Sequence, residues 1–263
     1  MAPGHHRALA LRLEAAWAQR APIAPLSADG SLAGPEDAYA VQRAWAGLRA
    51  AAGERTLGRK IGLTSPGMRA QMQVDEPDYG DLWASRHTRA PGGVATIATA
   101  PFLQPRVEGE LAFLLGRDLG LAAVDEDEVR AATAAVAPAL EVVDSRIADW
   151  RIALVDTIAD NASYGGFSVG AWVPALLEAD LVALPMQVSR NGEVVVDETG
   201  AAVMGSPLTA VAWLANKLGG FGIGLRAGDI VLSGSFGRAV DVVAGDEFAI
   251  AVPGTGGLVA RFV

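Results

Sequence analysis

The stretch Pro105-Arg106-Val107-Glu108-Gly109-Glu110-Leu111-Ala112-Phe113-Leu114-Leu115 constrains this chain more than any other. Leu111 to Leu115 is an apolar run of strand type, and alternation along a strand puts Glu108 and Glu110 on one face. Val107, Gly109, Leu111, Phe113 and Leu115 then form an almost wholly apolar opposite face, suited to lie on a core. Two carboxylates on one face repel unless something positive offsets them, and a divalent cation is the simplest candidate. Glu141 recurs in a similar setting, within Ala139-Leu140-Glu141-Val142-Val143-Asp144. Edge strands with their polar face in water are the alternative arrangement of the same pattern.

A chain of 263 residues, 51% of them hydrophobic, can bury a large core. One large domain, or a main domain with a smaller helical part, is expected. The net charge of -9 gives no general attraction to nucleic acid or to an anionic membrane. A small anionic substrate would need a local positive site or a metal. With no cysteine there is no disulfide framework, no thiolate nucleophile and no thiolate metal site. The N-terminus has no basic region followed by an apolar run, and no apolar stretch reaches membrane-spanning length. A soluble cytoplasmic protein is expected.

Leu9, Leu13 and Trp17 recur every fourth residue and predict a helix from about His6 to Arg20, ended by Pro22 and Pro25. Pro35-Glu36-Asp37 opens a second helix, expected to reach about Ala51. These helices make residues 1–56 a helical N-terminal region, with 57–263 as the main body. Leu57 to Ser65 reads as a short glycine-rich strand carrying Lys60, where a lone lysine is more often a surface residue. A short helix is expected over 66–74, and an acidic loop over Asp75 to Asp81. Val94 to Ile97 reads as a strand. An alanine-rich helix is expected from Asp125 through Ala137, closed by Pro138, with the Glu141 strand after it. Tyr164 to Gly170 reads as another strand. Asn191-Gly192 between two strand candidates predicts a hairpin, Pro207 to Leu218 a helix, and the remainder several short strands. The mixture indicates an α+β domain without the phosphate-binding glycine fingerprint of nucleotide folds.

Glu108, Glu110 and Glu141 offer only oxygen ligands, and the three histidines lie elsewhere, at 5, 6 and 87. Such a set suits a hard ion, Mg2+ or Mn2+, and argues against a histidine-rich zinc site. No Gly-x-Ser-x-Gly supports a serine hydrolase, though Ser233-Gly234-Ser235 at a strand end could supply hydroxyl and backbone donors.

Several stretches together carry a family resemblance. They are Lys60 to Ser65, Glu76-Pro77-Asp78-Tyr79-Gly80, Pro105 to Phe113 and Pro138 to Ile147, with Asp149-Trp150, Asp156 to Ser163 and Ala227 to Gly234 in support. On these the chain resembles, over nearly its whole length, the 2-hydroxypenta-2,4-dienoate (2-keto-4-pentenoate) hydratases. That family belongs to the fumarylacetoacetate hydrolase-like superfamily, which also holds 2-oxo acid decarboxylases.

The resemblance implies a mixed β-roll with a small helical N-terminal part. It implies Glu108, Glu110 and Glu141 as ligands of Mg2+ or Mn2+, with Lys60 and Asp78 as catalytic groups and Ser163 and Ser233 lining the site. The implied substrate is a small 2-oxo or 2-hydroxy-enoate of aromatic catabolism, hydrated to a 4-hydroxy-2-oxo acid. A homo-oligomer and association with another enzyme of the pathway are implied too. Decarboxylation of a 2-oxo-3-enedioate, as in 4-oxalocrotonate, is the alternative reaction, because both need a stabilised dienolate. Ser233-Gly234-Ser235-Phe236 departs from the hydratase pattern towards members acting on longer dicarboxylic substrates, for which Arg238 is the candidate partner of a distal carboxylate. A non-catalytic assembly protein of the same fold would need neither Lys60 nor the three glutamates.

Overall fold

The computed structural model describes residues 3–65, 69, 75–121 and 123–263. Its helices are α1 (Pro3–Gln19), α2 (Pro35–Ala51), α3 (Glu126–Ala132), α4 (Leu154–Ala159) and α5 (Pro207–Gly219). The strands fall into two sheets. In the larger one, β1 (Thr56–Gly62), β2 (Asp78–Trp83), β4 (Arg106–Leu115), β5 (Thr133–Val143), β6 (Tyr164–Val169) and β9 (Ile230–Leu232) run in the order β2-β1-β9-β4-β5-β6, and β10 (Val240–Asp241) pairs with β4. The smaller sheet has the order β3-β12-β11-β7-β8, from β3 (Val94–Ile97), β7 (Pro185–Arg190), β8 (Glu193–Thr199), β11 (Glu247–Ala251) and β12 (Leu258–Phe262). β1 is parallel to β9 and β3 to β12, while the other named pairs are antiparallel. This is the expected α+β fold, a curled mixed sheet with helices at its N-terminal side.

The apolar face of β4 holds the two sheets together. Val107, Leu111, Phe113 and Leu115 are buried, and the open side of Gly109 faces Val188 and Met186 of β7 and Ile250 of β11. The predicted hairpin is present, with Asn191 and Gly192 both left-handed at φ 53° and 86° between β7 and β8. Their twist matches that of the strands they join.

Two expectations are corrected. The alanine-rich helix stops at Ala132, and Thr133 to Ala137 continue as β5 despite their helix propensity. Pairing with β4 along the whole stretch outweighs that local preference. Pro138 lies inside β5, opposite Leu111, and its carbonyl accepts from Gly170 N–H just past the end of β6. The acidic loop is also mostly a strand: Asp78 to Trp83 form β2, and every one of its residues is buried. Charge compensation makes that burial tolerable, as with Arg59 Nε 3.0 Å from Asp81 Oδ1. The helix expected over 66–74 lies, apart from residue 69, outside the described residues.

α1 and α2 share one continuous core with the sheets. Trp17, Trp45 and Trp83 meet edge-to-face, with centroids 5.0–6.0 Å apart. Beneath them lies Arg146, fully buried, its guanidinium 5.2 Å from the rings of both Trp17 and Trp45. Arg146 Nε donates to Asp160 Oδ1 at 2.5 Å, and its terminal nitrogens donate to the carbonyls of Asp144, Asp160 and Tyr164. Burial pushes the Asp160 carboxyl up to about 6 against the pull of Arg146. No helix among the described residues is long and apolar enough to cross a membrane.

Replacing Arg146 with Ala strands the Asp160 charge and frees three carbonyls, so a loss of about 3–5 kcal/mol of stability is expected. Urea denaturation checks this: the midpoint falls, and a midpoint near that of the parent protein contradicts the role given to this pair.

Candidate active site

β4 and β5 pair so that Glu108 stands opposite Glu141, and alternation along β4 puts Glu110 on the same face as Glu108. One carboxylate oxygen from each of Glu108, Glu110 and Glu141 lies within 4.8 Å of the other two. Glu110 and Glu141 are wholly buried, while Glu108 keeps partial exposure. From β1, Lys60 reaches in until its Nζ is 3.2 Å from Glu141 Oε1.

β2 brings Asp78 opposite Gly62 of β1, and this pairing requires a glycine. A Cβ at residue 62 would stand 2.2 Å from Asp78 Oδ1. Thr157 of α4 donates its hydroxyl to Asp78 Oδ2 at 3.1 Å, and its oxygen is 3.4 Å from that of Ser163. Gly234, at φ 106°, packs so closely on Thr64 that a Cβ would lie 2.2 Å from the Thr64 side chain. That approach lets Gly234 N–H donate to Glu110 Oε2 at 2.7 Å.

The charges explain one another. Burial, then the neighbouring charge of Glu141, pushes Glu108 up to about 7. Burial, with Glu141 and Glu108 close by, holds Glu110 well above the usual carboxylate range. Burial also raises Glu141, against the pull of Lys60, and raises Asp78, against Lys60 and the Thr157 hydroxyl. For Lys60 burial favours the neutral amine, but the carboxylates of Glu141 and Asp78 outweigh it and keep the ammonium above its ordinary value.

One lysine therefore faces four carboxyl groups, three of them buried and that of Glu108 partly so, and the surplus negative charge calls for a cation. Among the described residues Glu110 Oε1 has no hydrogen-bond donor, and Glu141 has only the Lys60 ammonium, 3.2 Å from its Oε1, to offset its charge, leaving buried acceptors without a full set of partners. Three hard oxygen donors, close together and short of protons to accept, fit a divalent ion of the Mg2+ or Mn2+ kind.

A cavity of about 250 Å³ opens over this centre. Lys60, Asp78, Glu108, Thr157 and Ser163 give it a polar side. Leu63, Val143, Ile152, Ala162 and Ala239 give it apolar wall, and Arg106 and Trp150 complete it. Four of these residues hold left-handed backbone without being glycine: Leu63 (φ 58°), Trp150 (54°), Ala162 (51°) and Ser163 (53°). Such conformations cost of order 1–3 kcal/mol each and persist only where the surroundings impose them.

Of the residues singled out in the sequence, Lys60, Asp78, Glu108, Glu110, Glu141 and Ser163 converge here. Ser233 is buried, its hydroxyl has no partner among the described residues, and it is not on the cavity wall; the neighbouring Gly234 reaches the site through its backbone. Arg238 is exposed and is not among the residues that line the cavity, whereas the next residue, Ala239, is. Sequence reasoning missed Thr157, Trp150 and Arg106. Only Arg106 carried a readable signal, since it precedes Glu108 by two residues and so shares its strand face.

A family model described as Fumarylacetoacetate (FAA) hydrolase C-terminal matches residues 62–263. The 2-keto-4-pentenoate hydratase 2 of Dechloromonas aromatica (strain RCB) is 44% identical over 266 residues, covering 100% of this chain and 98% of that one. The chain belongs to the 2-keto-4-pentenoate hydratase family of the fumarylacetoacetate hydrolase-like superfamily. Another member, the 2-hydroxyhexa-2,4-dienoate hydratase of Comamonas testosteroni, is 44% identical over 234 residues, with 89% of this chain and 88% of that one covered. Among solved structures, 4-oxalocrotonate decarboxylase from Pseudomonas putida G7, complexed with magnesium and adipate, superposes with a TM-score of 0.94 at 33% identity. That match covers 100% of this chain and 99% of that one.

In this hydratase-family chain the acid centre sets the pH response of ion binding. A carboxyl raised from 4.5 to about 7, as in Glu108, makes the metal-free fold pay a penalty that is full above about pH 7 and fades towards pH 4.5. Below about pH 7 an ion must also displace the proton. The rise in melting temperature caused by Mn2+ is therefore expected to be larger at about pH 8 than at about pH 6. A rise that is equal at both, or larger at the lower pH, contradicts the assignment.

Proposed function

We propose that this protein is a hydro-lyase that adds water to 2-hydroxypenta-2,4-dienoate or a close relative, giving a 4-hydroxy-2-oxo acid in aromatic catabolism. The observation that carries this reading is the triad Glu108, Glu110 and Glu141, set beside Lys60 and Asp78 at a cavity with one polar side and one apolar wall. Full-length similarity to hydratases that act on such dienoates supports the substrate class.

The triad would hold Mg2+ or Mn2+, and such an ion, when bound, withdraws charge from the carboxylate and 2-oxo or 2-enol head of the substrate. Lys60, kept protonated by its carboxylate neighbours, pairs with the anionic oxygens of that head and limits how it can turn. Asp78 has its carboxyl raised by burial and receives the Thr157 hydroxyl, so it is suited to hold and return a proton near neutral pH. The reaction has two parts: the dienol takes a proton at C5 and becomes the 2-oxo-3-enoate, and water then adds at C4 while C3 is protonated. Ser163 hydrogen-bonds within the polar side, and the apolar wall keeps bulk water away from the dienolate. The family reading adds a homo-oligomer, association with another enzyme of the pathway, a cytoplasmic location and catalysis within residues 57–263.

Similarity to the 4-oxalocrotonate decarboxylase favours a second reaction, loss of CO2 from a 2-oxo-3-enedioate, served by the same electron withdrawal. The two are separated by supplying both substrates with Mg2+ or Mn2+ and following dienol absorbance against CO2 release. Dienol loss with water addition, abolished by a chelator and lowered at least about 100-fold in Glu108→Gln, is the expected result. CO2 release without hydration overturns the hydratase reading, and dienol loss indifferent to the chelator overturns the metal role.

A further inference from the structure

β2 forms one edge of the larger sheet, so among the described residues the backbone groups on its outer side meet no strand. Side chains meet them instead, at every second residue. Gln42 of α2 donates from Nε2 to Tyr79 O at 2.7 Å, and the Tyr164 hydroxyl donates to Trp83 O at 3.2 Å. Between these, Asn161 holds Asp81 at two points. Its Oδ1 accepts from Asp81 N–H at 2.7 Å and its Nδ2 donates to Asp81 O at 3.0 Å, the pair of bonds that a neighbouring strand would have made. Gln42 and Asn161 are both buried. Gly80 lets the turn come this close: a Cβ there would stand 2.4 Å from Asn161 O and 2.9 Å from the Asn161 carbonyl carbon.

An edge strand needs its polar groups satisfied, and that alone accounts for the bond at Trp83. It does not account for where the other bonds begin. Asn161 opens a turn in which Asn161, Ala162 and Ser163 are all left-handed, at φ 55°, 51° and 53°. Asparagine accepts that conformation, whereas alanine and serine hold it only under restraint, and here both line the cavity. The second bond of Gln42 Nε2, to Ile158 O at 3.0 Å, grips α4 at the residue next to Thr157. Thr157 donates to Asp78 Oδ2, and Asp78 itself lies on β2, three residues before Asp81. Both amides therefore tie the segment bearing Thr157 and Ser163 to the strand bearing Asp78, and the circuit of contacts closes on that acid.

We propose that Asn161, packed on Gly80 and supported by Gln42, is a positioning residue: by clasping Asp81 it fixes the Thr157 and Ser163 hydroxyls against the Asp78 carboxyl during turnover. Asn161 is not itself on the cavity wall. The inference rests on the reading above, in which Asp78 holds and returns a proton. Glu108, Glu110, Glu141 and Lys60 stand on β4, β5 and β1, so loosening the clasp leaves the grip on the head of the substrate in place. A shift of about 1 Å at the turn parts Thr157 from Asp78 and misdirects the proton carrier, an error that lowers a rate by up to about 100-fold.

The test assays Asn161→Gly, Gly80→Ala and, for comparison, Tyr164→Phe in the hydration of 2-hydroxypenta-2,4-dienoate with Mg2+, below the melting temperature of each. Glycine accepts a left-handed backbone without strain, so Asn161→Gly removes the clasp and nothing else from the turn. The added methyl of Gly80→Ala pushes the turn off β2 while both amides remain. These two are expected to lower kcat about 10- to 100-fold with KM unchanged within about threefold, whereas Tyr164→Phe keeps kcat within about twofold. Binding of the unreactive 2-oxopentanoate with Mg2+, measured by calorimetry and equal to the parent's, shows each variant folded with its head-group site intact. Three results overturn the role of Asn161 and leave the hydratase reading standing: a kcat in Asn161→Gly close to the parent's, a loss of 2-oxopentanoate binding as large as the loss of kcat, or an equal loss of kcat in Tyr164→Phe. A parent protein that binds 2-oxopentanoate yet does not hydrate the dienoate overturns that reading, and this inference falls with it.

Discussion

The crowding of three glutamates, two of them wholly buried, beside one lysine is the interaction on which the rest of this structure depends. Glu108, Glu110 and Glu141 are brought together by strand pairing, which leaves their side chains no freedom to separate. Like charges so placed oppose folding, and Lys60 offsets only part of that cost. The fold tolerates the centre because its reverse side is so well packed. The apolar face of β4 lies against β7 and β11, and the strand cannot rotate its acids into water without withdrawing that face from the core.

A second layer of buried charge holds the loops over the centre. Arg146 ties Asp144, Asp160 and Tyr164 together beneath the tryptophans of α1, α2 and β2, so the N-terminal helices bear on the segment that carries Thr157, Ala162 and Ser163. Left-handed residues at the cavity wall follow from this fixing. The segment enters β6 at Tyr164 with its preceding turn already bonded to β2, where Asn161 exchanges side-chain hydrogen bonds with the backbone of Asp81. Local strain is thus held by contacts that lie away from the substrate space.

The centre itself was legible in the sequence because it obeys a short-range rule. Alternation placed Glu108 and Glu110 on one face, and the similar apolar setting of Glu141 offered a third carboxylate, while its pairing with β4 came only from the structure. Asp78 was named only through family resemblance, since acids beside Pro77 and Gly80 read as a loop and nothing local disclosed that Gly62 makes room for a buried strand. The helix drawn through Thr133 to Ala137 failed for a related reason: alanine favours helix in isolation, while pairing with β4 decides the outcome. Trp150 reaches the cavity through a turn left-handed at Asp149 and at Trp150 itself, and Thr157 from the short helix α4 that follows, and sequence offers no signal for either. Arg238 and Arg106 show the limit from the other side. Both are arginines near the site in the chain, yet only strand parity distinguishes the one on the wall from the one in solvent.

The central claim is that the three glutamates hold a divalent ion and that a 2-oxo acid meets it there. A crystal soaked with Mn2+ and 2-oxoadipate, with anomalous scattering recorded at the manganese edge, tests this directly. The account predicts one strong peak with an oxygen of each of Glu108, Glu110 and Glu141 at about 2.1–2.2 Å and the head of the acid completing the coordination. A peak held by other residues, or a triad that stays free of manganese under those conditions, would contradict it.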